Sequence, residues 1–113
     1  MCGQMELDQI TSVVVQAAKD SLGDKLDKVI LYGSYARGDY NNESDIDIMI
    51  LADIPLEDRW RTYLEISRLT GWIDLKYDVL TSINITDCAT FIKYSDDLPF
   101  YRNVLKEGVL LSA

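Results

Sequence analysis

The chain has no histidine, two cysteines (Cys2 and Cys88), and only 11 Lys and Arg against 19 Asp and Glu. Each shortage removes a class of chemistry. Without histidine, Ser-His-Asp and Cys-His nucleophilic mechanisms are unavailable, and so is a His-ligated catalytic zinc. The two cysteines fit no zinc spacing and read as free thiols of a reducing compartment. A net charge of −8 leaves no basic patch for a broad nucleic-acid-binding surface. It does not oppose a nucleotide whose phosphates arrive with a cation. No apolar run approaches the roughly 18 residues of a membrane span, and the N-terminus does not read as a signal peptide. A cytoplasmic protein is expected, and carboxylate-bound metal is the chemistry that remains. With 48% hydrophobic residues in 113, the chain has enough apolar material for the core of one domain spanning residues 1–113.

Residues 29–51, VILYGSYARGDYNNESDIDIMIL, carry that chemistry. An apolar run, Val29 to Tyr32, stops at Gly33-Ser34. A polar turn of ten residues, Tyr35 to Ser44, leads to Asp45-Ile46-Asp47 and a second apolar run. Side chains alternate across a strand, so Asp45 and Asp47 project from one face and Ile46 and Ile48 from the other. Two carboxylates side by side repel unless a cation lies between them, and hard divalent ions take such oxygen ligands. Gly33 removes a side chain where backbone could approach a phosphate, and Ser34 adds an N–H and a hydroxyl. Arg37, in the loop between cradle and carboxylates, either reaches a triphosphate or pairs with Asp39 or Glu43. Tyr35 reads equally as a substrate-facing aromatic and as a turn residue.

Gly-Ser, ten residues, then Asp-x-Asp resembles the signature of the nucleotidyltransferase superfamily that includes DNA polymerase beta. Ala36-Arg37-Gly38 and Ser44-Asp45 are similar to its small members, the minimal nucleotidyltransferases, as is Lys106-Glu107-Gly108-Val109-Leu110 near the end of the chain. The resemblance implies a polymerase-beta-like fold of the α/β (α+β) class, with a small mixed sheet of three to four strands flanked by helices.

The flanking sequence agrees. Residues 5–22 place Leu7, Ile10, Val14, Ala17, Ala18 and Leu22 on one helical stripe closed by Gly23. A second helix is expected over residues 56–69, opened by Pro55 and ended by Gly71, with Trp60 and Trp72 as core anchors. Residues 73–81 alternate as a third strand, with Ile73, Leu75, Tyr77 and Val79 on one face and Asp74, Lys76 and Asp78 on the other. Residues 82–86 read as a polar loop with Thr86 as a helix cap, residues 87–94 as a short helix, residues 99–107 as a last helix, and residues 109–111 as a short terminal strand or tail.

The resemblance calls for a third acidic residue on a later strand. Asp78, set between Tyr77 and Val79, matches best, with Asp74 in reserve. Asp45, Asp47 and Asp78 would then be the catalytic, metal-binding set for two Mg²⁺ ions, and Gly33, Ser34 and Arg37 would hold the phosphates of ATP. The activity implied is transfer of a nucleoside monophosphate, AMP from ATP, to a hydroxyl of a partner protein. By the same resemblance the partner is a HEPN-type toxin and this chain its antitoxin. Acceptor recognition would come from that partner or from a second copy of this chain in a homo-oligomer. Two other readings share the core: a nucleotide-binding antitoxin without turnover, and an antibiotic-modifying nucleotidyltransferase.

Overall fold

The computed structural model describes residues 4–41 and 44–112; expectations for Cys2, Asn42 and Glu43 lie outside them. Helix α1 (Gln4–Leu22) comes first, followed by a 3-10 turn and strand β1 (Leu26–Tyr32). A one-turn helix, α2 (Ser34–Arg37), precedes β2 (Ile46–Ala52), and helix α3 (Leu56–Tyr77) leads to β3 (Thr81–Asp87). Helices α4 (Cys88–Tyr94) and α5 (Pro99–Glu107) and strand β4 (Val109–Ser112) complete the order.

The four strands form one mixed sheet in the order β3-β2-β1-β4. Strand β1 runs antiparallel to both β2 and β4, whereas β2 and β3 are parallel. The long crossover that parallel pairing requires is α3. Alternation along β1 and β2 divides the core. Val29, Leu31, Ile46, Ile48 and Ile50 face one layer with Leu7, Ile10, Val14, Ala18 and Ile73, in which α1 and α3 pack on the sheet. Ile30, Met49 and Leu51 face the other, against Phe91 of α4 and Val104 of α5. All six residues of the α1 stripe are buried. No helix among the described residues is long and apolar enough to cross a membrane.

The segment after β2 corrects the sequence reading. Residues 73–77 are not a strand: α3 runs 22 residues, straight through Gly71. Its inward face is Ile66, Thr70 and Ile73, with Tyr77 packed against the same core. Leu75, expected on one strand face with the buried Ile73, is 88% exposed. Asp78 is the helix C-cap in the left-handed region, at φ 52°. The strand beside β2 is instead residues 81–87, of which 82–86 were expected to be a loop. Asp87 rather than Thr86 caps α4, its side chain accepting from the Thr90 N–H at 3.0 Å. Trp60 and Trp72 are not core anchors either, being 66% and 48% exposed.

Asp74 has a structural task in this arrangement. Its Oδ1 accepts from both the N–H (3.2 Å) and the hydroxyl (3.0 Å) of Thr81, tying the end of α3 to the start of β3. Asp74→Ala should lower the unfolding free energy by about 1–2 kcal/mol, measured by chemical denaturation. An unchanged midpoint would contradict this role.

Candidate active site

Strand β1 ends at Tyr32 and the chain turns sharply through Gly33, which sits at φ 75°, ψ −156°. Few L-residues adopt this conformation. A Cβ at position 33 would also run into Asp47 Oδ2. Glycine is required twice over, once by the backbone and once by the carboxylate lying against it. Ser34 then opens α2, whose turn is closed by the Ala36 and Arg37 N–H groups donating to the Gly33 carbonyl at 3.1 Å.

Asp47 pairs in register with Tyr32 on β1 and with Ser82 on β3. It is half-buried, while Asp45, one pleat earlier, is exposed. Burial, and next the neighbouring Asp45 charge, push the Asp47 carboxyl above the ordinary aspartate range; Arg37 pulls it partly back. The donor set is two carboxylates on one face beside a side-chain-free backbone, which fits one divalent cation bearing phosphates. Among the described residues no group of three or more Asp, Glu, Cys or His side chains could hold a metal.

The six residues expected at the site are therefore not all brought together. Gly33, Ser34, Arg37, Asp45 and Asp47 share the end of the sheet where β1 stops and β2 begins. Arg37 forms ion pairs with Asp39 at 3.1 Å and Glu107 at 3.5 Å. With Tyr32, Gly33, Phe100, Asn103, Val104 and Glu107 it lines a cavity of about 220 Å³. The Asp39 pairing that the sequence offered is thus present, and the guanidinium also acts on Asp47 electrostatically. Asp78 lies three residues ahead of β3, on a helix cap rather than on the strand facing the pair, and Asp74 is committed to Thr81. Tyr35 points inward, buried and stacked on Tyr40 with ring centroids 4.2 Å apart.

Other residues occupy the places the sequence reading gave to the third carboxylate. The register Asp47↔Ser82, Met49↔Asn84 puts Ser82, Asn84 and Thr86 on the face that carries Asp47. Asn84 Oδ1 accepts from the Thr86 hydroxyl at 3.0 Å, and Asn84 lines a cleft together with Tyr32. Burial first, then the Asp47 charge, raises the pKa of the Tyr32 phenol, so Tyr32 stays neutral. On the outer side of β3 a cleft of about 480 Å³ opens, lined by Tyr32, Ser82 and Asn84 together with Leu56, Arg59, Trp60, Tyr63, Ile83 and Ile85. Trp60 and Tyr63 stack at 5.4 Å along its wall, and Arg59 is fixed by Asp87 at 3.1 Å. The signal for this strand was present as polar Ser82, Asn84 and Thr86 alternating with Ile83 and Ile85.

Comparison with known proteins gives the class, a nucleotidyltransferase. The model of the nucleotidyltransferase domain family matches residues 13–111, and the chain belongs to that family. It is 38% identical over 97 residues to a protein of Methanocaldococcus jannaschii described as a "putative protein adenylyltransferase", covering 86% of this chain and 89% of that one. A second protein of that organism with the same description is 42% identical over 80 residues, covering 69% and 77%. Among solved structures, a toxin–antitoxin complex with AMP-PNP aligns with a TM-score of 0.55 at 22% identity, over 91% of this chain and 73% of that one. A structure titled "putative minimal nucleotidyltransferase" aligns with a TM-score of 0.55 at 20% identity, over 93% and 92%. These two likenesses are of fold.

The raised Asp47 pKa gives a test with a defined sign. A carboxyl whose folded pKa exceeds its unfolded one destabilises the fold above that range, and the penalty vanishes once both states are protonated. Asp47→Asn should therefore raise the melting temperature at neutral pH. The gain should shrink as pH falls through about 4, and should shrink also when Mg²⁺ is added to both proteins. A variant less stable than wild type at neutral pH without metal would contradict the argument.

Proposed function

We propose that this nucleotidyltransferase moves a nucleoside monophosphate, AMP from ATP, onto a hydroxyl of a partner protein, acting as one domain in the cytoplasm. The observation that carries the reading is the Asp45–Asp47 pair held against Gly33, with the Asp47 charge disfavoured until a cation joins it. Asp45 and Asp47 would hold Mg²⁺, which when bound neutralises the triphosphate and polarises its phosphorus–oxygen bonds. Ser34 and the side-chain-free backbone at Gly33 lie where terminal phosphates would be held. The Arg37 guanidinium, exchanging Asp39 or Glu107 for a phosphate oxygen, orients them. Attack by the acceptor oxygen at the α-phosphorus would form the new P–O bond as the bond from that phosphorus to the β-phosphate oxygen breaks, releasing pyrophosphate, while the acceptor's hydroxyl proton passes to a base on the acceptor. Positioning and charge neutralisation supply the catalysis, and no protein nucleophile is required.

The description of the archaeal relatives as protein adenylyltransferases supports a protein acceptor. The toxin–antitoxin structures of the same fold, one with AMP-PNP, support an antitoxin that modifies its toxin, a HEPN-type protein in our reading. The cleft beside Asn84, with Arg59, Trp60 and Tyr63, is the space in which we place the acceptor side chain. A second reading, an antitoxin that holds a nucleotide without turning it over, is favoured by one observation: no described residue completes a three-carboxylate site.

The test is transfer of label from α-labelled ATP, with Mg²⁺, into a co-expressed neighbouring gene product. A labelled band with wild type should be lost with Asp45→Asn/Asp47→Asn and absent with γ-labelled ATP. Trp60→Ala should raise KM for the protein acceptor several-fold and leave KM for ATP unchanged. No band, alongside tight Mg²⁺-dependent ATP binding, would replace transfer by the second reading.

A further inference from the structure

We infer that Asn84 makes this a one-metal site, standing where a third carboxylate would be needed to hold a second ion. Two ions about 3.5–4 Å apart need donors beyond a single shared pair of carboxylates. Strand β2 has two neighbours in the sheet, and each presents one side chain directly opposite Asp47: Tyr32 from β1 and Ser82 from β3. The next residue of β3 on that face is Asn84. A side chain there lines the same cleft as Tyr32 and Ser82. Its Oδ1 accepts from the Thr86 hydroxyl, and its group is a neutral amide. Tyr32 is neutral too, and Ser82 brings only a hydroxyl. The acidic residues nearest in sequence do not replace it: Asp74 caps the Thr81 backbone, and Asp78 ends α3 before the strand begins.

The chemical consequence concerns the acceptor. A carboxylate at position 84 would take the acceptor proton and bind the ion that activates the acceptor oxygen. An amide can orient that oxygen but cannot remove its proton. The ion at Asp45 and Asp47 remains, so phosphate binding is retained while the acceptor-activating half of the site is missing from this chain. The base then comes from the acceptor's own surface.

The inference rests on the metal–nucleotide reading of the same site, and the probe separates the two. Mn²⁺ is titrated into wild type, Asn84→Asp, Asp78→Ala and Asp45→Asn/Asp47→Asn, with and without a non-hydrolysable ATP analogue. Bound Mn²⁺ is counted by electron paramagnetic resonance, and analogue retention is measured separately. The expected counts are one for wild type and Asp78→Ala, none for the double variant, and two for Asn84→Asp, whose paired ions broaden the spectrum. Asn84→Asp is isosteric and keeps an oxygen to accept from Thr86. Two ions on wild type, none on wild type, or one lost on removing Asp78 would each overturn the inference, so the decision does not depend on the Asn84 variant folding. A count of one without retention of the analogue would overturn the nucleotide reading and leave the inference standing.

Discussion

Two like charges on one strand face, Asp45 and Asp47, are held beside a turn that must be glycine. The repulsion is stored by the fold rather than relieved by it. Asp47 is half-buried between β1 and β3 because Ile46 and Ile48 are committed to the core on the opposite face. Every element around the site serves that placement. Helices α1 and α3 anchor the buried isoleucines, β1 ends where Gly33 can pass against Asp47, and α5 meets Arg37 through Glu107.

The sheet places its polar groups unevenly. On the β1 side of Asp47 lie Gly33, Ser34 and Arg37, a backbone and cation suited to phosphate. On the β3 side lie Ser82, Asn84 and a cleft walled by an arginine and two stacked aromatic rings. Tyr32 borders both cavities and packs edge-on against Phe100, with ring centroids 5.6 Å apart. The neutral Tyr32 phenol borders the two cavities without adding charge to either.

Much of this was legible in the residues. The Gly33-Ser34 to Asp45-Ile46-Asp47 spacing located the strand–turn–strand, and the α1 stripe and the Pro99 and Gly108 boundaries were each where local chemistry puts them. The miss lies between residues 70 and 87. Ile66, Thr70, Ile73 and Tyr77 repeat at helical spacing, yet Ile73, Leu75, Tyr77 and Val79 also alternate as a strand would. A window that short does not separate the two periods. Gly71, read as a stop, is a tolerated glycine within a long helix, with open space where its Cβ would be. Residues 82–86 looked like a loop because their outward side chains are polar, but that polarity marks the face turned to the site. The third carboxylate was assigned to Asp78 for the same reason: its alternation with Tyr77 and Val79 placed it on a strand that begins only at Thr81.

The central claim is that the Asp45–Asp47 pair exists to hold a cation bearing a nucleotide's phosphates. A crystal structure grown with Mn²⁺ and a non-hydrolysable ATP analogue, phased to show anomalous scattering, tests it most directly. The account predicts a single anomalous peak bound by Asp45 and Asp47, with the triphosphate running from it to Ser34 and Arg37. Triphosphate density away from Gly33, or a metal peak that neither carboxylate touches, would contradict it.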